Sequence, residues 1–268
     1  MYNLKIIRSG DKLEVYKINN YIIKEGSKGD KCKIIEKLIA DKSDNKTKKD
    51  KQQIRQNTLI IARNNIIRFI KSNSDMQTFI TLTFKEEQDY KESKKKLNIL
   101  FTKLRKNYPG LKYLWVLEYG DLNRRLHYHL LCNIYVEIHL SRSKEIKSQE
   151  HKELENKFHN KYWKYGFVDI RQLRQEGNTN IALYVSTYIV KSMENLDLEG
   201  YRVYGYSHKT LDKPIEEKFY TNDNIEDILK KYAADYKITY TSSYDIGYSD
   251  WRGEHKGNVN YYDMERNL

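Results

Sequence analysis

A chain of 268 residues with 49 Lys and Arg against 37 Asp and Glu carries a net charge of +12, which favours an anionic partner such as nucleic acid or an acidic membrane surface. No apolar stretch approaches the roughly 18 to 20 residues needed to span a bilayer, and no secretory signal pattern opens the chain, so neither a membrane protein nor a secreted one is expected. Two cysteines, Cys32 and Cys132, exclude a disulfide framework and a paired-cysteine metal site, and a cytoplasmic chain with one main core is expected. The abundance of Lys, Asn, Ile and Tyr is also what AT-rich coding produces, so placement has to carry the argument.

Residues 2–24 alternate in polarity around a Ser-Gly-Asp turn, which predicts a hairpin. The stretch 41–56, "DKSDNKTKKDKQQIRQ", reads as a solvated basic linker or an arm that rests on phosphates, and it runs into a helical pattern at 55–71. "FITLTF" (79–84) is β-rich, and 88–108 is an amphipathic helix stopped by Pro109-Gly110. "LKYLWVLEY" (111–119) and "RLHYHLLCNIYV" (125–136) read as strands joined by the turn 120–124. A charged helix at about 143–164, a strand in "GFVDIRQL" and a helix at about 179–193 follow. The order β-α-β-β-α-β predicts an α+β fold of the ferredoxin-like, split βαβ kind, an antiparallel sheet with helices on one face. Residues 1–75 form an N-terminal hairpin and helix extension, 76–212 the main domain, and 213–268 a C-terminal segment. That last part holds a helix at 224–235 and a Tyr/Gly-rich tail expected to order only in part.

Within "RRLHYHLL" a strand would direct His127 and His129 to one face and Leu126, Tyr128 and Leu130 to the other. If the turn is tight, Glu118 lies opposite His127 and Val116 opposite His129, and directly opposed residues share a face at about 4.5 to 5.5 Å. Two imidazoles and a carboxylate then form a three-ligand site for a divalent cation, with positions left open. A register shift of one residue would turn Glu118 away, and the pair would then be stacked or solvated histidines.

In "NIALYVSTYIVKS" (180–192) Tyr184, Tyr188 and Lys191 follow helical spacing along one strip, beside an apolar stripe of Ile181, Val185, Ile189 and Met193. A phenol near a metal-polarised phosphate can attack it, and a lysine can neutralise the charge that develops. Tyrosines also edge helices simply because they bury a ring and wet a hydroxyl.

Taken together, "FITLTF", "EYGDLNRRLHYHLL", "GFVDIRQL" and "YVSTYIVKS" resemble, in order and spacing, the HUH endonuclease superfamily, and within it rolling-circle replication initiator (Rep) proteins of small plasmids and single-stranded DNA phages. The resemblance covers about 76–212 and includes "YRVYGYSHKTLDKP". It implies that His127, His129 and Glu118 bind Mg²⁺ or Mn²⁺, and that a tyrosine attacks single-stranded origin DNA to leave a 5′-phosphotyrosine and a 3′-hydroxyl that primes synthesis. Tyr188 matches the Tyr-x-x-Lys spacing with Lys191, and Tyr184 the extra tyrosine of two-tyrosine members. Many relatives carry Lys or Arg just before the second tyrosine, where this chain has Thr187, so which phenol begins stays open. No phosphate-binding loop is found, "EGSKGDK" (25–31) having the wrong spacing, so unwinding would fall to a host helicase, with a host polymerase extending the primer in a bacterial cytoplasm.

Candidate DNA readers are 55–71, the helix at 88–108, Arg171 and Arg174, with Trp115, Trp163 and Tyr113 as stacking residues that serve equally as core. The competing readings are an HUH relaxase or transposase, a ferrous-iron oxygenase built on the same ligands, and a non-catalytic RRM-like nucleic-acid-binding protein.

Overall fold

The computed structural model describes residues 1–19, 48–120, 125–141, 145–173, 181–194, 201–250 and 253–267. Residues 20–24 of the first hairpin, 25–31, Cys32, most of the 120–124 turn and Arg174 lie outside them. The chain divides into two units, one of 1–57 with 213–268 and one of 58–212.

The first unit is a five-stranded antiparallel sheet ordered β8-β1-β2-β10-β9. The predicted hairpin is β1 (Leu4–Ser9) and β2 (Lys12–Asn19), paired Ser9 to Lys12 across a two-residue turn whose Gly10 has φ +58°, a conformation glycine adopts without a Cβ clash. β8 (Ile215–Phe219) pairs with β1. The Tyr/Gly-rich segment is not a partly ordered tail. Its residues form β9 (Tyr236–Asp250) and β10 (Gly253–Arg266), with β10 paired to β2 as well. The predicted helix at 224–235 is shorter, α5 (Ile225–Lys230), and its Ile228 closes a small core with Leu4, Ile6, Leu13, Val15 and Met264.

The second unit contains β3 (Thr78–Thr83), α2 (Tyr90–Asn107), β4 (Tyr113–Tyr119), β5 (Leu126–Cys132), α3 (Gln149–Lys161), β6 (Val168–Gln172), α4 (Ile181–Glu194) and β7 (Tyr204–Tyr206). Its sheet is ordered β6-β3-β5-β4-β7, the split βαβ arrangement with β7 added at the β4 edge. The α+β expectation therefore holds. α1 (Lys48–Lys71) runs through residues 48–56, so that part of the basic stretch is helical rather than linker.

Alternation along the strands divides the sheet into two faces. Ile80, Leu82, Trp115, Leu117, Leu126, Tyr128 and Leu130 share one apolar core with Leu97, Leu100, Phe101 and Leu104 of α2 and Phe158 of α3. Those four α2 positions follow a 3.6-residue period, and each such buried side chain contributes about 1.5–3 kcal/mol. Asp89 caps α2 by accepting from the Glu92 N–H, and the helix ends ahead of Pro109-Gly110. On the opposite face Phe79, Leu114, Val116 and Leu131 pack with Ile66 and Ile70 of α1 and Ile181, Ala182 and Val185 of α4. Helices thus cover both faces, not one as the element order suggested, because α1 and α4 lie outside the βαββαβ unit and bring apolar stripes of their own. Trp115, Trp163 and Tyr113 are buried in the first core and so are not free to stack on bases.

Candidate active site

The register between β4 and β5 pairs Glu118 with His127 and Val116 with His129. On its other side β5 pairs His127 with Thr83 and His129 with Thr81. Both imidazoles and the carboxylate therefore stand on the α4 face, and one ligand atom from each of Glu118, His127 and His129 lies within 4.8 Å of the others.

Glu118 and His129 are buried, at 7% and 5% exposure. His129 Nε2 is 2.9 Å from Glu118 Oε1, but the angles do not make a hydrogen bond, and Glu118 Oε2 and His129 Nε2 are both buried without a partner. The other ring nitrogen, Nδ1, is 3.1 Å from the Thr81 hydroxyl. With Nδ1–H donating to Thr81, Nε2 turns a lone pair toward a carboxylate. Leaving such groups unmatched costs about 1–3 kcal/mol each, and a cation satisfies both at once. The donor set therefore fits a divalent metal ion. Gly120 completes the cradle, since a Cβ there would stand 2.7 Å from His127 Nε2.

α4 brings the tyrosines. The Tyr188 ring stacks on His129 with centroids 3.9 Å apart, and both rings rest near Phe79, at 5.6 and 5.5 Å. The Tyr184 and Tyr188 hydroxyls are 2.7 Å apart, and Tyr184 is 39% exposed. Burial, then the Tyr184 hydrogen bond and the nearby Glu118 and Asp169 carboxylates, push the Tyr188 phenol well above its ordinary pKa. Lys191 follows three residues later on α4, and its side chain lies outside the described residues. Glu118, His127, His129, Tyr184 and Tyr188 are thus brought together.

Asp169, paired with Thr81, is on the same face. Its burial opposes ionisation, but hydrogen bonds from Arg171 and Lys147 outweigh that and hold it below the usual carboxylate range. Arg171 is thereby committed to Asp169, with its Nε 3.1 Å from both carboxylate oxygens. Sequence reasoning missed Phe79, Thr81, Gly120 and Asp169. The alternation in "FITLTF" carries the signal for the first two, since Phe79 and Thr81 share a face. His151, given no role, is a buried tie that accepts from Ser141 N–H at 3.2 Å and donates to Ile170 O at 2.8 Å.

Residues 77–193 match a family model described as replication-associated protein of the ORF2 type. No curated protein and no solved structure matches the chain. The part of the chain that carries both the histidine and the tyrosine motifs thus belongs with this family of replication-associated proteins, which bears out the resemblance to rolling-circle initiators.

Proposed function

We propose that this protein is a replication initiator that nicks single-stranded origin DNA with a tyrosine, leaving a 5′-phosphotyrosine and a free 3′-hydroxyl, and later rejoins strands. The observation that carries the reading is a metal-ligand cluster with a phenol stacked directly on one of its imidazoles. Glu118, His127 and His129 would hold the ion, which the resemblance to HUH enzymes makes Mg²⁺ or Mn²⁺. A divalent cation bound there supplies Lewis-acid polarisation of the scissile phosphate.

The chain's own residues do the rest. Tyr188 Oη forms the bond to phosphorus as the bond from phosphorus to the 3′-oxygen breaks, and the proton lost by the phenol is balanced by the one the leaving 3′-oxygen takes up. One phosphodiester replaces another, so no ATP is consumed. Tyr184, a hydrogen bond away, supports a second cleavage and rejoining by the other phenol. Lys191 is assigned to neutralise charge developing on the phosphate. In this reading 76–212 is the nuclease domain, 1–75 and 213–268 are appended segments, and a helicase and a polymerase of a bacterial host complete replication in the cytoplasm. No helix among the described residues is long and apolar enough to cross a membrane.

The test is to incubate the protein with a labelled single-stranded origin oligonucleotide and Mn²⁺ and look for a covalent adduct, then map the modified peptide. An adduct on Tyr188 or Tyr184 is expected. Retention of unmodified DNA with no adduct would leave only a binding protein.

A further inference from the structure

Phe167 is 68% exposed, yet the backbone around it is held by hydrogen bonds on either side. Thr83 N–H donates to Phe167 O at 2.9 Å, and Lys85 N–H donates to Tyr165 O at 2.9 Å. Between these two bonds a Cβ on Gly166 would come 2.0 Å from Thr83 O and 2.6 Å from Lys85 N, so only glycine permits the approach. The Trp163 indole donates to the same Thr83 oxygen at 3.2 Å. The chain therefore fixes a large apolar ring in water on a firm support.

Register gives the ring its neighbours. Leu82 pairs with Val168, and the Thr83–Phe167 hydrogen bond continues that ladder by one step. Val168 packs with the α2–α3 core, so alternation assigns Phe167 to the opposite face, with Asp169, Thr81, His127 and His129. The row across the sheet then reads Phe167, Thr83, His127, Glu118. Two strand spacings, about 10 Å, separate Phe167 from His127.

We propose that Phe167 is a stacking platform for an unpaired base of the single strand, next to the nucleotide whose phosphate is held at the Glu118–His127–His129 cluster. The proposal rests on the nuclease reading above. A base is favoured over a protein partner because the chain carries +12, and because Asp169, the acid on the same strand and face, is already matched by Lys147 at 2.6 Å and Arg171 at 3.0 Å, leaving a neutral approach for a polyanion. The aromatic residues first considered for stacking, Trp115, Trp163 and Tyr113, are buried, whereas an exposed phenyl ring is what a base can use.

The experiment compares wild type, Phe167→Ala and Phe167→Tyr by fluorescence anisotropy on a fluorescein-labelled oligothymidylate of about 16 nucleotides. Phe167→Ala is expected to weaken binding about 5- to 150-fold, as loss of one stacked base does, with Phe167→Tyr restoring it. The slope of affinity against salt should not change, because no phosphate contact is lost. Phe167→Trp, followed by indole emission, should be quenched by the single strand more than by a duplex of the same length. Equal affinity of Phe167→Ala and wild type, while wild type still forms the adduct, overturns the platform and leaves the nuclease intact. An oligomer in wild type that Phe167→Ala dissociates without loss of DNA affinity also overturns it, by showing the occupant to be a second copy. A wild-type protein that forms no adduct removes the reading beneath the proposal and the proposal with it.

Discussion

The two five-stranded sheets treat their buried acids in opposite ways. In the first unit Glu14 accepts hydrogen bonds from the Tyr16 and Tyr261 hydroxyls at 3.0 and 3.1 Å, and Asp263, although its Oδ1 has no hydrogen bond, has the Lys12 ammonium 2.7 Å from its other oxygen. Each acid there has its counterpart in the chain. In the second unit Glu118 meets an imidazole edge-on and keeps a bare oxygen, and His129 keeps a bare nitrogen. A buried acid closed by phenols and lysine is structure. One left open beside two histidines calls for something the chain does not contain.

That contrast can be broken by mutation, and the largest effects fall on the open site. Replacing both Tyr184 and Tyr188 by Phe should abolish adduct formation while circular dichroism and oligonucleotide binding persist, and a surviving adduct would move the nucleophile elsewhere. His127→Ala should remove Mn²⁺-dependent cleavage and leave DNA retention in gel shifts. Equal loss of both would make His127 a folding residue. Thr81→Val deletes the hydroxyl that orients His129 and should weaken metal affinity about 10- to 100-fold, read by Mn²⁺ titration. Gly120→Ala forces the His127 imidazole aside at a cost of about 1–3 kcal/mol, and should lower metal affinity more than thermal stability, because the ring is a movable side chain. Glu14→Gln, in the closed sheet, should destabilise by about 1–3 kcal/mol in urea and leave Mn²⁺ affinity unchanged. If Glu14→Gln instead changed metal binding, the separation of the two kinds of acid would be lost.

How much of this the sequence discloses depends on how local the physics is. The pairing of Glu118 with His127 is legible because two adjacent strands and a short turn permit few registers. Tyr184 and Tyr188 are legible as neighbours because a helix brings i and i+4 together. What stayed hidden depends on distant partners. β7 is three residues long, too short for any period, and is a strand only because β4 offers an edge. β9 and β10 show no apolar alternation, and Thr, Ser, Gly and Tyr read as loop until β2 supplies a template. Helices on both faces could not be inferred from a βαββαβ order that contains only α2 and α3. Thr81 and Phe79 acquire meaning only once β3 is seen to lie beside β5.

The most direct measurement is electron paramagnetic resonance of Mn²⁺ titrated into the folded protein, wild type against Glu118→Gln. The account predicts one tightly bound equivalent in wild type and a marked loss of affinity in the variant. An identical titration for the two proteins would contradict it and take Glu118 out of the site.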